Sequence, residues 1–183
     1  MNSQLLDRYQ KDIRAKLQKD LGIENPIQVP RIEKIVINAG IGSHMQQLGS
    51  KDISEIVNNI EAITGQKTVV KHAKLSVSNF KLREGMPVGI CVTLRKASAY
   101  NFLDKLINVV YPRVRDFRGV RKNIFDKDGN VSFGFADHTV FPEVEIPEDS
   151  RRVHGLQVTI VISGKSPKNS KALLDEFGFP FKK

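Results

Sequence analysis

"VGICVTLR", Val88–Arg95, is the stretch on which the fold turns: Val88, Ile90, Val92 and Leu94 alternate with Gly89, Cys91, Thr93 and Arg95. Side chains along a strand point alternately to its two faces, so this is a strand with one buried face and one open face. The open face is small, polar and basic. Immediately before it lies "KHAKLSVSNFKLREG", Lys71–Gly85, which carries four Lys or Arg residues, a single acid (Glu84) and neither a two-residue nor a 3.6-residue period. A basic loop over about 71–87 is expected there, between two ordered elements.

Outward from this strand the pattern is mixed. Leu5, Leu6, Tyr9, Ile13, Leu17 and Leu21 recur at helical spacing, which predicts a helix over about 3–21 closed by Gly22. "RIEKIVINAGIG" from Arg31 reads as a strand leading into a glycine loop that extends towards Gly49. Ser50 is placed to cap a second helix, whose face is Ile53, Ile56, Val57, Ile60 and Ile63 and whose stop is Gly65. "KTVVK", Lys67–Lys71, is a short strand. A third helix over about Ser98–Val110 presents Phe102, Leu103, Leu106, Ile107 and Val110 and is expected to end before Pro112. "FDKDGNVSFGF" predicts a hairpin around Asp128-Gly129. "LQVTIVIS" alternates as a last strand, and Ser166-Pro167 opens a final helix running to about Gly178. No repeat or linker divides the chain, so one domain over 1–183 is expected. Its class is α+β: a mostly antiparallel sheet with helices packed on one face and the opposite face open.

The totals limit the functions available. With 29 basic against 20 acidic residues the net charge is +9, which in a chain of 183 residues points to a polyanion partner, most simply nucleic acid. No apolar run reaches the length of a membrane span, and the charged N-terminus has no signal-peptide centre, so an intracellular, cytoplasmic protein without a membrane partner is expected. The single cysteine, Cys91, excludes an internal disulfide and a multi-cysteine zinc site, and its aliphatic neighbours make it a small hydrophobe. His44, His72, His138 and His154 are scattered, lack the spacing of a helical metal pair and read as surface residues. No nucleophile elbow, zincin or P-loop motif occurs. No enzyme, metal or cofactor is expected. Gly40 and Gly42 fail the dinucleotide pattern; they either let backbone N–H groups approach a phosphate or simply turn the chain. "DKDGN" lacks the later positions of a calcium loop, and "EVEIPED" with Arg151 and Arg152 is either a solvated loop or a contact for a basic partner.

The strongest signal is basic. Lys67, Lys71, Lys74, Lys81, Arg83, Arg95 and Lys96 are opposed by Glu84 alone, and Arg113, Arg115, Arg118, Arg121 and Lys122 form a second group. The first group keeps informative company: Phe80 can stack on a base, and Gln66, Ser76, Ser78, Asn79 and Thr93 can hydrogen-bond to bases and 2′-hydroxyls. Neutralising about six phosphates would give a log-affinity slope of roughly −4 against log salt.

"ITGQK" (63–67), "SVSNFKLREGMPVGICVTLR" (76–95), "YPRVRDFRG" (111–119), "FPEV" (141–144), "RVHGLQVTI" (152–160) and "LLDEFGFPFKK" at the tail follow one another at consistent spacing. With these segments the chain resembles, over essentially its whole length, the large-subunit ribosomal protein five family in its bacterial form. The resemblance implies a structural, non-catalytic protein of the ribosome's central protuberance. Such a protein attaches 5S ribosomal RNA to the large subunit, touches the P-site tRNA through a protruding loop and bridges to a small-subunit head protein. Its other implied partners are large-subunit rRNA and neighbouring large-subunit proteins. Carried onto this sequence, the 5S contacts are Asn38, Gln66, Phe80 and Thr93, to which the basic pattern adds Lys67 and Arg95. The tRNA-facing loop contributes Lys71, His72, Lys74, Ser76, Ser78 and Asn79, and the intersubunit bridge Arg113, Arg115, Arg118, Phe141 and Glu143. Two departures stand out: His72 and Leu75 occupy positions where the family carries basic residues, and "GFADHTVF" lacks an arginine common in that segment. The competing reading is a non-ribosomal RNA-binding or RNA-modifying protein on a similar open sheet, which as an enzyme would need a concave site with perturbed acids or bases.

Overall fold

The computed structural model describes residues 3–42, 53–121, 123–144 and 153–182. The Ser50 cap, His44, Gly49, Lys122, most of "EVEIPED", Arg151 and Arg152 lie outside the described residues. The fold is α+β, with a five-stranded antiparallel sheet that is open on one side. Strands β1 (Ile32–Gly40), β2 (Val69–His72), β3 (Pro87–Arg95), β4 (Val131–Phe135) and β5 (Leu156–Ile162) lie in the order β2-β3-β1-β5-β4. Helix α1 runs Gln4–Arg8, widens into a π turn at Tyr9–Ile13 and resumes as Arg14–Asp20. Helix α2 is Ser54–Thr64, α3 runs Lys96–Lys105 and continues through a second π turn, Leu106–Val110, to Tyr111–Arg113, and α4 is Pro167–Glu176. The chain forms two compact units, one from residues 1–36, 94–133 and 159–183 and the other from 37–93 and 134–158.

In the first unit Leu5, Tyr9, Ile13 and Leu17 are the buried stripe of α1, as the helical spacing predicts. Tyr9, Tyr100 and Phe177 meet with ring centroids 5.8–6.1 Å apart. Burial raises the phenol pKa of Tyr100 and Tyr111 far above its usual value, because the phenolate would be stranded away from water. Pro112 does not end α3 in front of itself. The π turn moves the hydrogen bonding by one residue, so that the Tyr111 N–H reaches the Leu106 carbonyl, and a residue without an N–H fits at the next position. The hairpin expected at Asp128-Gly129 is a turn with one short arm, in which, among the described residues, Phe125 bridges to Val131 and the Asp126 N–H bonds the Asn130 carbonyl. Asp126 organises this turn, accepting from the N–H groups of Asp128 and Asn130 and from Asn130 Nδ2. Those donors hold its carboxyl below the usual range.

In the second unit the buried alternation of β1 and β3, Ile37, Ala39, Ile90 and Val92, shares a core with Leu156, Val158 and the α2 stripe of Ile56, Ile60 and Ile63. Helix α2 ends where the sequence places its stop, with Gly65 in the left-handed region at φ 65° and its N–H on the Glu61 carbonyl. Two of the histidines expected at the surface are inside this unit: His138 is 1% and His154 4% exposed. Their rings sit 4.0 Å apart, and His138 Nδ1 accepts from the His154 N–H at 3.2 Å. The β4–β5 connection brings them together, a pairing that a spacing rule for metal ligands cannot detect.

Candidate RNA interface

Strands β2 and β3 form an antiparallel hairpin in which Val69 faces Cys91, Val70 faces Ile90 and Lys71 faces Gly89. Directly paired residues share a side, so the side opposite Ile90 and Val92 carries Val69, Lys71, Gly89, Cys91 and Thr93. Asn38 shares that side of β1, between buried Ile37 and Ala39. All of these are partly or fully exposed. Gly89 is the low point of the surface, since a Cβ there would approach the Ala39 carbonyl at 3.3 Å.

The turn after α2 fixes one rim of this face. Thr64 Oγ1 donates to the Ile60 carbonyl at 2.7 Å and accepts from the Gln66 N–H at 3.4 Å. Glu61 Oε1 accepts from the Thr68 N–H at 2.9 Å and from the Thr68 hydroxyl at 3.3 Å. Held from both sides, Gln66 donates through Nε2 to the Thr93 carbonyl at 3.3 Å. Two residues 27 positions apart are thus brought into contact, with exposed Lys67 beside them. Glu61 is a positioning residue that sequence reasoning passed over. Its signal was an acid on the last turn of a helix, ahead of a glycine stop and a threonine.

The stretch without a period proves to be the hairpin's tip, and its ends are strand: Lys71 and His72 belong to β2 and Pro87 to β3. Between them the chain is tied back on itself. Ala73 N–H bonds the Met86 carbonyl at 2.8 Å, Gly85 N–H the Ala73 carbonyl at 3.0 Å, and Val77 and Leu82 exchange two bonds of 3.0 and 3.1 Å. The turn is a 3₁₀ segment, Ser78–Phe80, closed by Lys81 in the left-handed region at φ 52°. Ser76 accepts from the Glu84 N–H at 2.9 Å, so its hydroxyl braces the tip. Every residue from Lys74 to Lys81 is exposed, with Leu75 74% and Phe80 68% accessible. Among the described residues, Lys71, Lys74, Lys81 and Arg83 make no ion pair.

Arg95, at the end of β3, falls in the first unit. Arg113, the last residue of α3, and Arg115 and Arg118 on the loop after it are also there and exposed, and that loop is better ordered than its sequence suggests. Phe117 stacks on Tyr111 with centroids 4.8 Å apart, and Val120 exchanges backbone bonds of 2.8 Å with Pro180 and Lys182. With Phe117 turned inward, the arginines on either side face water. In the second unit Glu143 is exposed but Phe141 is 0% exposed and packs edge-on against Phe135, which removes its side chain from any surface contact.

An open sheet face with an amide and a hydroxyl, a rim glutamine and a cation-rich tip bearing an exposed aromatic has the surface of an RNA-binding protein on an α+β scaffold. Among the described residues no cluster of His, Cys, Asp or Glu could hold a metal, and no helix is long and apolar enough to cross a membrane. Comparison with known proteins narrows the class. Residues 25–83 match the model of ribosomal protein L5 and residues 87–181 that of the ribosomal L5P family C-terminus. The large ribosomal subunit protein uL5 of Thermosipho melanesiensis is 50% identical over 180 residues, covering 98% of this chain and 97% of its own. That of Acidobacterium capsulatum is 47% identical over 182 residues, covering 100% and 98%. The chain belongs to the ribosomal protein L5 family.

Proposed function

We propose that this protein is a non-catalytic constituent of the large subunit of the cytoplasmic ribosome, a single RNA-binding domain that holds 5S rRNA on its open sheet face. Asn38 and Thr93 meet the RNA from the sheet, Gln66 and Lys67 from the rim and Phe80 from the tip, with Arg95 adding charge. The tip, from Lys71 through Asn79, reaches the P-site tRNA. Arg113, Arg115, Arg118 and Glu143 face a small-subunit head protein, and Phe141 holds the corner from within.

The observation that carries this reading is the Gln66–Thr93 hydrogen bond of 3.3 Å. It joins, on one exposed rim, positions that the family resemblance marks separately. The tip supports the tRNA assignment by being exposed and cationic. Leu75 then has a role suited to its 74% exposure: where the family carries a charge it offers an apolar contact, so the tip relies on Lys71 and Lys74 for phosphates.

Binding of labelled 5S rRNA across a salt series tests the reading, with Phe80→Ala and Thr93→Ala beside wild type. Base stacking on an aromatic is worth about 1–3 kcal/mol, so Phe80→Ala should weaken binding at least about fivefold, and Thr93→Ala by a smaller factor. Unchanged affinity in both variants removes the site assignment. Equal affinity for 5S rRNA and a tRNA removes the function.

A further inference from the structure

In the first unit a groove of about 740 Å³ lies beside α1, with the start of β1 and the β3–α3 junction along it. Its lining includes Arg14, Ile27, Arg31, Glu33, Arg95 and Lys96. Four cations therefore face one carboxylate, and among the described residues none of the four is neutralised by an ion pair. Arg14 spends one of its guanidinium donors on the Pro26 carbonyl at 3.1 Å, which steadies the side chain and leaves the other donors available. The floor is satisfied and inert: Tyr9 Oη donates to the Pro30 carbonyl at 3.0 Å and Tyr100 Oη accepts from the Ile32 N–H at 3.4 Å. Burial raises the Tyr9 pKa, but the charges of Arg14 and Arg31 pull it back, so both guanidiniums act on the same floor. Lys96 is held at φ 52°, a left-handed conformation unfavourable to a lysine, which the fold maintains at the turn from strand to helix. Ile27, which also lines the groove, is 77% exposed.

We propose that this groove is a second RNA site, which shares only Arg95 with the residues assigned to 5S rRNA and grips the phosphodiester backbone of an RNA strand while Ile27 packs against its sugars. The inference rests on the reading of the protein as RNA-binding. Charge selects the ligand class: guanidiniums and an ammonium along an open groove with a spent floor suit a run of phosphates. Glu33 is the one group that opposes a polyanion.

The test uses the full chain saturated with 5S rRNA and titrated with a labelled single-stranded RNA oligonucleotide of mixed sequence. Wild type should take up the oligonucleotide. Arg14→Gln with Arg31→Gln, both exposed positions, should weaken that uptake about 25-fold near 0.1 M salt and flatten its log-salt slope by about 1.4, the contribution of two phosphates. Affinity for 5S rRNA should stay within about twofold. An oligonucleotide excluded by bound 5S rRNA, or bound equally by the variant, overturns the groove while leaving the sheet face standing. Competition by adenosine monophosphate as strong as by the oligonucleotide would make this a mononucleotide pocket, and arginine-dependent binding of a polyglutamate peptide in place of RNA would make it a protein contact; either overturns the proposal. Failure of wild type to bind 5S rRNA counts against the proposed function alone, because the oligonucleotide titration can be run on the free protein.

Discussion

Replacing Gly129 by alanine should cost the first unit far more than the same change at Gly22, and the structure says why. Both glycines have positive φ, 81° and 63°, so both substitutions strain the backbone by about 1 kcal/mol. At Gly22 a new Cβ meets nothing within 4 Å. At Gly129 it would stand 2.5 Å from Ser170 Oγ and 2.8 Å from the Ser166 carbonyl, which accepts the Ser170 N–H in the first turn of α4. The hydroxyl can rotate away but the carbonyl cannot move without disturbing the helix, and overpacking of this kind costs roughly 1–3 kcal/mol more. Gly22→Ala should therefore lose about 1 kcal/mol and Gly129→Ala about 2–4, or roughly 2–4 °C and 4–16 °C in Tm for a chain of this length. Urea unfolding followed by circular dichroism measures both. Adding Ser170→Ala should restore only part of the loss at Gly129, because the backbone contact remains. Equal losses at the two glycines would refute the argument that the turn is docked on α4.

Other expectations can be checked alongside. Lys74→Gln should leave Tm within about 1 °C and 5S affinity unchanged, yet flatten the log-salt slope for tRNA binding by about 0.7; a salt-independent offset would mean that this lysine does not neutralise a phosphate. Glu61→Gln, which weakens the anchor of the Gln66 turn, should reduce 5S affinity without removing any proposed contact; normal binding would show that the rim needs no bracing. The Asp126 carboxyl titrates below its unfolded value, so its contribution to stability is complete above the unfolded carboxylate pKa of about 4 and disappears as pH falls through the lower folded value. Asp126→Ala should accordingly flatten the acid limb of the stability profile, and an unchanged limb would show that the turn does not use that charge.

Strand β3 and helix α2 were legible because each carries a strict period, to which α2 adds a stop at Gly65 that only glycine satisfies cheaply. The candidate face was legible for the same reason, since alternation puts Thr93 opposite Val92 whatever the rest of the chain does. The tip was read as a loop because its order comes from backbone bonds such as Val77 with Leu82, and these leave no trace in side-chain periodicity. Pro112 was misread because a proline rule assumes regular α-helical bonding, and a π turn suspends it. His138 and His154 were misplaced because their burial follows from the fold's β4–β5 connection. Phe141, chosen as a bridge contact from its motif, looks like a surface aromatic only until Phe135 is set against it.

The second π turn sets the phase of everything that follows it. Loss of any one residue from Leu106–Val110 would restore regular winding and rotate the downstream chain by about 100°. Tyr111 would swing out from between Phe117 and Phe179, and Pro112 would collide with the carbonyl four residues before it. A three-nucleotide deletion at this point, which a surface loop would absorb, is here an error of frame in three dimensions.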